Sequence, residues 1–85
     1  MRDRVLQRSD WAGEPLRVRI AWQLRKEKPT GPIHAICIAW THPLGYELRL
    51  DVDGSLIRSR VARSNDEILT AQEEWRAAMM EKCWQ

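Results

Sequence analysis

The chain has 85 residues, of which 44% are hydrophobic and 31% charged, and its formal net charge is +2. This balance is typical of one small globular domain and excludes a disordered chain, which would hold too few apolar residues to form a core. The longest apolar run, AICIAW, is far shorter than the ~20 residues needed to span a bilayer, so we expect no membrane segment.

The first segment of the chain, residues 1–15, shows no regular period and ends in the breaker cluster AGEP. We expect a loosely ordered N-terminal arm there and a single α+β domain over residues 16–85. The arm carries charges of both signs without an apolar stretch, so it does not look like a signal peptide. With only two cysteines, Cys37 and Cys83, we expect a cytoplasmic protein with free thiols, and one bridge between them is the alternative.

Four segments then have the patterns of β-strands. LRVRIAWQLR alternates apolar and polar residues, which is typical of a half-buried strand. IHAICIAWT is apolar on both faces, as a central strand would be. YELRLDV and SLIRSRV flank Asp53-Gly54, a dipeptide that favours a type I′ hairpin turn.

The last segment, SNDEILTAQEEWRAAMMEKCW, has the pattern of an amphipathic helix. Ser64 and Glu67 have the spacing of a capping box at its start. Apolar residues recur at spacings of three and four, namely Ile68, Ala71, Trp75, Ala78, Met79 and Cys83. The sequence therefore predicts a four-stranded antiparallel meander followed by one helix packed across a single face, in the order β-β-β-β-α.

One register of this sheet places the large apolar residues on a single face, beneath the helix. It predicts that Trp22, Trp40 and Trp75 meet between sheet and helix, with Ile36 and Ile38 beside them. His34 and Ser59 are the two polar residues that this register also puts on the buried face.

The same register gathers basic residues on the opposite side of the sheet and sets Arg49 opposite Arg58. We define the arginine face as the five arginines that it predicts there, Arg17, Arg19, Arg49, Arg58 and Arg60. One interpretation is a solvated surface whose repulsion is relieved by acids nearby. A second is a binding surface for an anionic partner, since arginine matches phosphate and carboxylate geometry. A third is a homodimer contact, in which small residues of the second strand permit close approach.

The flank of the predicted helix offers a second candidate surface. Leu69, Met80 and Trp84 lie away from the centre of the apolar stripe, at about 100° or more. They are predicted either to widen the buried face or to contact a partner, since interfaces are enriched in Trp and Met.

Catalytic and metal chemistry find little support in the sequence. His34 and Cys37 lie three residues apart in a strand, so they are expected on opposite faces and out of mutual reach. Two histidines and two cysteines without paired short spacings do not predict a zinc site, and DVDG lacks the remaining ligands of a calcium loop. We expect no enzymatic activity, no metal and no cofactor.

These observations predict a small non-enzymatic interaction module, which binds a protein partner or self-associates. The alternative is nucleic-acid or other anion binding through the arginine face. In layout alone, without a shared sequence motif, a sheet with exposed arginines backed by a helix is similar to the sheet-type DNA-binding domains of plant ethylene-response proteins and integrases.

Overall fold

The computed structural model describes residues 14–85, which form an antiparallel sheet followed by a helix. The elements are β1 (Arg17–Lys26), β2 (Ile33–His42), β3 (Gly45–Val52), β4 (Ser55–Ala62) and α1 (Asn65–Glu81). The strands lie in the order β1-β2-β3-β4, and α1 packs against one face of the sheet. The predicted α+β meander is therefore confirmed. Most of the predicted arm, residues 1–13, lies outside the described residues.

The turn between β3 and β4 has the backbone that its sequence predicts. Asp53 and Gly54 have φ angles of 48° and 84°, and positive φ at both central residues is what a type I′ turn requires. The Asp53 carboxylate also accepts a hydrogen bond of 3.0 Å from the backbone N–H of His34. The turn is therefore anchored to β2 as well as to its own two strands.

The start of α1 follows the capping pattern closely. The Ser64 hydroxyl accepts a hydrogen bond from the Glu67 N–H at 3.2 Å. The Glu67 carboxylate accepts one from the Arg63 N–H at 3.0 Å, one residue before the position of a standard capping box. Asp66 and Glu67 place negative charge in the first turn, where it interacts favourably with the positive end of the helix dipole.

In the part of the chain that the structure describes, no helical segment could span a bilayer.

The end of α1 folds back on itself in a Schellman motif. The N–H of Cys83 donates to the carbonyl of Met80, and the N–H of Trp84 donates to the carbonyl of Met79. Cys83 adopts the left-handed conformation with a φ of 71°, a position that glycine usually occupies. The reversal turns Trp84 inward, where it is only 8% exposed. Of the two alternatives for Trp84, its burial favours a wider buried face over contact with a partner.

The sheet buries the smallest side chains of β2 beneath α1. Ala35, Cys37 and Ala39 are almost completely inaccessible to solvent. The register predicted from the sequence instead puts the large residues of β2 there, and at this strand it is wrong for Ile36, Ile38 and Trp40. His34 is likewise exposed on the other face and not buried. Of the three tryptophans expected to meet under the helix, only Trp22 and Trp75 do so.

The reason for this register is the size of the neighbouring side chains. Cys37 pairs with Trp22 of β1 on one side and with Leu50 of β3 on the other. Above them α1 contributes Ile68 and Trp75, both buried. Protein interiors are packed at near-crystalline density, so large residues on three sides leave room only for a small residue in the middle.

Irregularities in the edge strands change which residues share a face. In β1 the register shifts at Val18 and again at Ala21, so Arg19 lies on the helix side and Ile20 on the other side. In β4 the shift falls at Ile57, which leaves Arg58 opposite Leu50. An extra residue in one strand moves the residues beyond it to the opposite face. Unbroken alternation in the sequence gives no sign of these shifts.

We expect Cys83→Gly to raise the free energy of unfolding by about 0.5–1 kcal/mol. A side chain in the left-handed region costs about 1–2 kcal/mol, and glycine removes this cost. The greater conformational entropy of glycine in the unfolded chain offsets part of the stabilisation. Urea denaturation of the two proteins measures the difference. Cys83→Ala is the matched control, since it removes the thiol and keeps the Cβ. Equal stability of the Gly and Ala variants would contradict the Schellman assignment.

Candidate interaction surface on the open face of the sheet

The sheet has one face under α1 and one face that no described element covers, which we call the open face. Along β2 this face carries an apolar strip, defined as Ile36, Ile38 and Trp40. Ile36 and Trp40 are half-buried, and Ile38 between them is only 9% exposed. Ile20 of β1 lies beside the strip, directly opposite Ile38, and is 42% exposed. Polar residues surround these side chains, chiefly Arg17, Gln23, Glu47, Arg49 and Asp51. The apolar strip therefore has a polar margin on both sides, and beyond it β4 adds the exposed Leu56 and Val61 to the open face.

An aromatic–cation pair lies at one end of the apolar strip. The Cζ atom of Arg49 is 5.0 Å from the centroid of the Trp40 ring, within the range of a cation–π contact. The Glu47 Oε1 atom accepts hydrogen bonds from Arg49 Nε at 3.1 Å and from Nη2 at 2.9 Å. All three side chains are partly buried, so the guanidinium is held over the indole by two kinds of contact.

The five residues predicted as the arginine face do not share a face. Arg17 and Arg49 lie on the open face, whereas Arg19, Arg58 and Arg60 lie on the helix side. Arg49 pairs with Ser59 and not with Arg58, so the predicted repulsion between opposed arginines is absent. The geometric premise of a single arginine face is wrong, and anion binding by these residues stays a prediction.

On the β1 side of the helix, Arg19 contacts α1 directly. Its Nη1 donates to Asn65 Oδ1 and its Nη2 to Gln72 Oε1, each at 3.1 Å. Beside it, Trp22 Nε1 donates to the backbone carbonyl of Gln72 at 2.8 Å. These three bonds attach one edge of the helix to β1, so Arg19 has a structural role that its strand pattern alone does not indicate.

On the β4 side, two more arginines reach the helix. The Cζ atom of Arg58 lies 4.7 Å from the centroid of the buried Trp75 ring, within the range of a cation–π contact. Arg60 Nη1 is 3.9 Å from the Glu74 carboxylate, and both side chains are mostly exposed. Exposed ion pairs at such distances contribute little to stability, whereas the contact with Trp75 protects apolar surface.

The candidate surface on the helix flank is small. Leu69 and Met80 are 41% and 47% exposed, and their spacing of eleven residues puts them on one side of α1, about three turns apart. Trp84, the third predicted member, belongs to the core. The two remaining side chains are too far apart to touch, and a contact through them stays a prediction.

The groups with potential chemical reactivity are separated or protected. Cys37 is fully buried, and burial raises the pKa of its thiol to about 12, so almost no thiolate is present near neutral pH. His34 lies on the open face, and both cysteines are free. Within residues 14–85, no three side chains of the metal-binding types are grouped closely enough to hold an ion.

A shallow groove of about 450 Å³ lies where the open face meets the β3–β4 turn. Arg25 and His34 line it, together with Gln23 and Ile36. The Asp53 carboxylate, which also lines it, is already bonded to the His34 backbone, and Arg25 contacts Glu27 at 2.7 Å. Leu24 and Ala35 of the helix side also line the groove, so it lies at the end of the sheet between the two faces.

Comparison of the chain with protein-family models, with curated proteins and with solved structures gives no match.

We expect the double substitution Arg49→Ala/Arg58→Ala to lower the free energy of unfolding by about 1–2 kcal/mol. Each arginine makes a cation–π contact with a tryptophan, and each such contact contributes about 0.5–1 kcal/mol. Urea denaturation measures the change. Arg76→Ala is the control, since Arg76 is an exposed arginine of α1 whose ion pair with Glu73 spans 3.9 Å. A double variant as stable as the parent would show that the two stacking contacts contribute nothing.

Proposed function

We propose that the protein is a non-enzymatic interaction module that binds another polypeptide through the open face of its sheet. The observation that carries the proposal is the apolar strip on the central strand β2, which no described element covers. Sheets with one uncovered face usually present polar residues there. Here the centre of the uncovered face is formed by the half-buried Ile36 and Trp40, with the largely buried Ile38 between them, and the exposed Ile20 lies beside them.

The composition of the open face favours a protein partner. Interfaces are typically apolar at the centre and polar at the rim, and Trp and Arg are the residues that most often dominate binding energy. Trp40 and Arg49 are stacked and fixed by Glu47 before any partner binds. A surface that is already ordered loses less side-chain entropy on association.

The charge of the open face favours protein over nucleic acid. Its arginines are Arg17, Arg25 and Arg49, and its acids are Glu47 and Asp51. One of the arginines is already bound to Glu47. Affinity for nucleic acid comes mainly from cations that neutralise phosphates, and this balanced surface offers few that are free to do so.

The absence of catalysis and a cytoplasmic location are parts of the same proposal. The inert environment of Cys37 and the separation of His34 from it favour a non-enzymatic role. The two free thiols favour a reducing compartment.

A photo-cross-linking experiment in the native host tests the proposal. Benzoylphenylalanine replaces Ile20 on the open face in one variant and Leu69 on the helix flank in another. The two positions are matched controls for each other, because they are 42% and 41% exposed. We expect a discrete protein adduct from the Ile20 position after irradiation and none from the Leu69 position.

Three results would contradict the proposal. One is the absence of any discrete adduct at Ile20, and another is an adduct at Leu69 alone. The third is an adduct at Ile20 that nuclease treatment removes, which would support the nucleic-acid alternative instead.

A further inference from the structure

We infer that the polypeptide bound by the open face is a second copy of this chain, packed face to face about a two-fold axis that runs along β2. This inference rests on the proposed function and specifies its partner. It follows from the way charges are distributed on the two sides of the apolar strip.

The register of the sheet arranges the open face in rows across the strands. One row contains Arg17, Trp40 and Glu47, in the order β1, β2, β3. A second row, on the far side of Ile38, contains Gln23, Ile36 and Asp51. In both rows an apolar residue of β2 separates a basic or amide side chain on β1 from a carboxylate on β3.

A two-fold axis along β2 makes this arrangement complementary to itself. The apolar strip then meets the apolar strip of the second copy, while β1 of each copy lies over β3 of the other. Arg17 comes to face the second copy's Glu47, and Gln23 comes to face the second copy's Asp51. Because the contact is isologous, each pair forms twice.

The side chains can reach one another in this geometry. Packed sheets lie about 10 Å apart, a distance that an extended Arg and a Glu can bridge from opposite sides. Glu47 uses Oε1 for Arg49, so its Oε2 atom is available to the second copy's Arg17. Ile20 faces the second copy's Arg49, whose stem offers apolar surface above Trp40.

Other contacts between two copies are less favourable. A two-fold axis that lies between the two sheets but crosses the strands at a right angle would place Glu47 over the second copy's Asp51. Two carboxylates would then face each other. Pairing of the β4 edges about Ser59 would put Arg58 opposite the second copy's Arg60. The β1 edge is interrupted at Val18 and Ala21, and such bulges oppose strand pairing.

The size of the face indicates a weak dimer. The axis along β2 brings three strands of each copy into contact, because β4 extends past β1 of the second copy. Three strands about 4.8 Å apart, each about eight residues long at about 3.3 Å per residue, present roughly 380 Å². Two such faces bury roughly 760 Å², which is below the usual size of stable specific interfaces. Sedimentation experiments must therefore extend to high protein concentration.

A charge-exchange experiment tests the axis. In a dimer of the Arg17→Glu variant, the new glutamate faces the second copy's Glu47 at both pairs, so two acids oppose each other. In a dimer of the Glu47→Lys variant, the new lysine faces the second copy's Arg17, so two cations oppose each other. We expect each variant to dimerise about tenfold more weakly than the parent or worse, because two attractive pairs become repulsive. When the two variants are mixed in equal amounts, both pairs are again of opposite charge, and we expect dimerisation to return.

Gln23 provides a second pair of variants, because it is exposed and its replacement leaves the Glu47–Arg49 contact intact. Gln23→Lys should tighten the dimer through the second copy's Asp51, and Gln23→Glu should weaken it. Sedimentation equilibrium over a concentration series measures all of these proteins. Arg76→Glu on the outer side of α1 is the control and should leave dimerisation unchanged.

A parent protein that remains monomeric at every concentration would overturn the inference, and so would a dimer that mixing does not restore. An Ile20 adduct with another protein, together with a monomeric parent, overturns the second copy as partner and leaves the proposed function standing. If the Ile20 position gives no adduct, both the proposed function and the second copy as partner are contradicted.

Discussion

The structure depends on how much space lies between the helix and the middle of the sheet. Trp22, Trp75 and Trp84 fill that space from β1, from α1 and from the reversed end of the chain. Each buried tryptophan removes roughly 150–250 Å² from water, which is a large share of what so small a domain can bury. These side chains fit only because β2 presents small residues beneath them.

The same constraint determines what the protein shows to its surroundings. Since the small residues of β2 face the helix, its large residues face outward by the alternation of a strand. The open face and its apolar strip are therefore a consequence of core packing, and Arg49 covers part of Trp40 there. On the helix side, Arg19 and Arg58 take part in attaching α1 to the sheet. The arginines of the chain thus divide between structural contacts and the margin of the open face.

The sequence predicted the elements well because their signals are local. The Asp53-Gly54 turn, the Ser64 cap and the buried positions of β3 all follow from patterns a few residues long. The face of β2 could not be predicted in that way, since this strand is apolar on both sides and its orientation depends on neighbours. The bulge at Ile57 likewise moves Arg58 to the helix side of the sheet, opposite to its predicted face. An alternating sequence gives no sign of one extra residue in a strand, so this change could not be predicted.

The orientation of β2 is the central claim, and the alkylation of Cys37 tests it most directly. In a Cys83→Ser variant at low protein concentration, Cys37 is the one thiol left, and iodoacetamide labelling is followed by mass spectrometry. Adding Ile36→Cys places a second thiol on the open face of the same strand, as a positive control. The account predicts that Cys37 stays unmodified until denaturant is added, while the thiol at position 36 reacts in the native protein. Labelling of native Cys37 as fast as that control would contradict it.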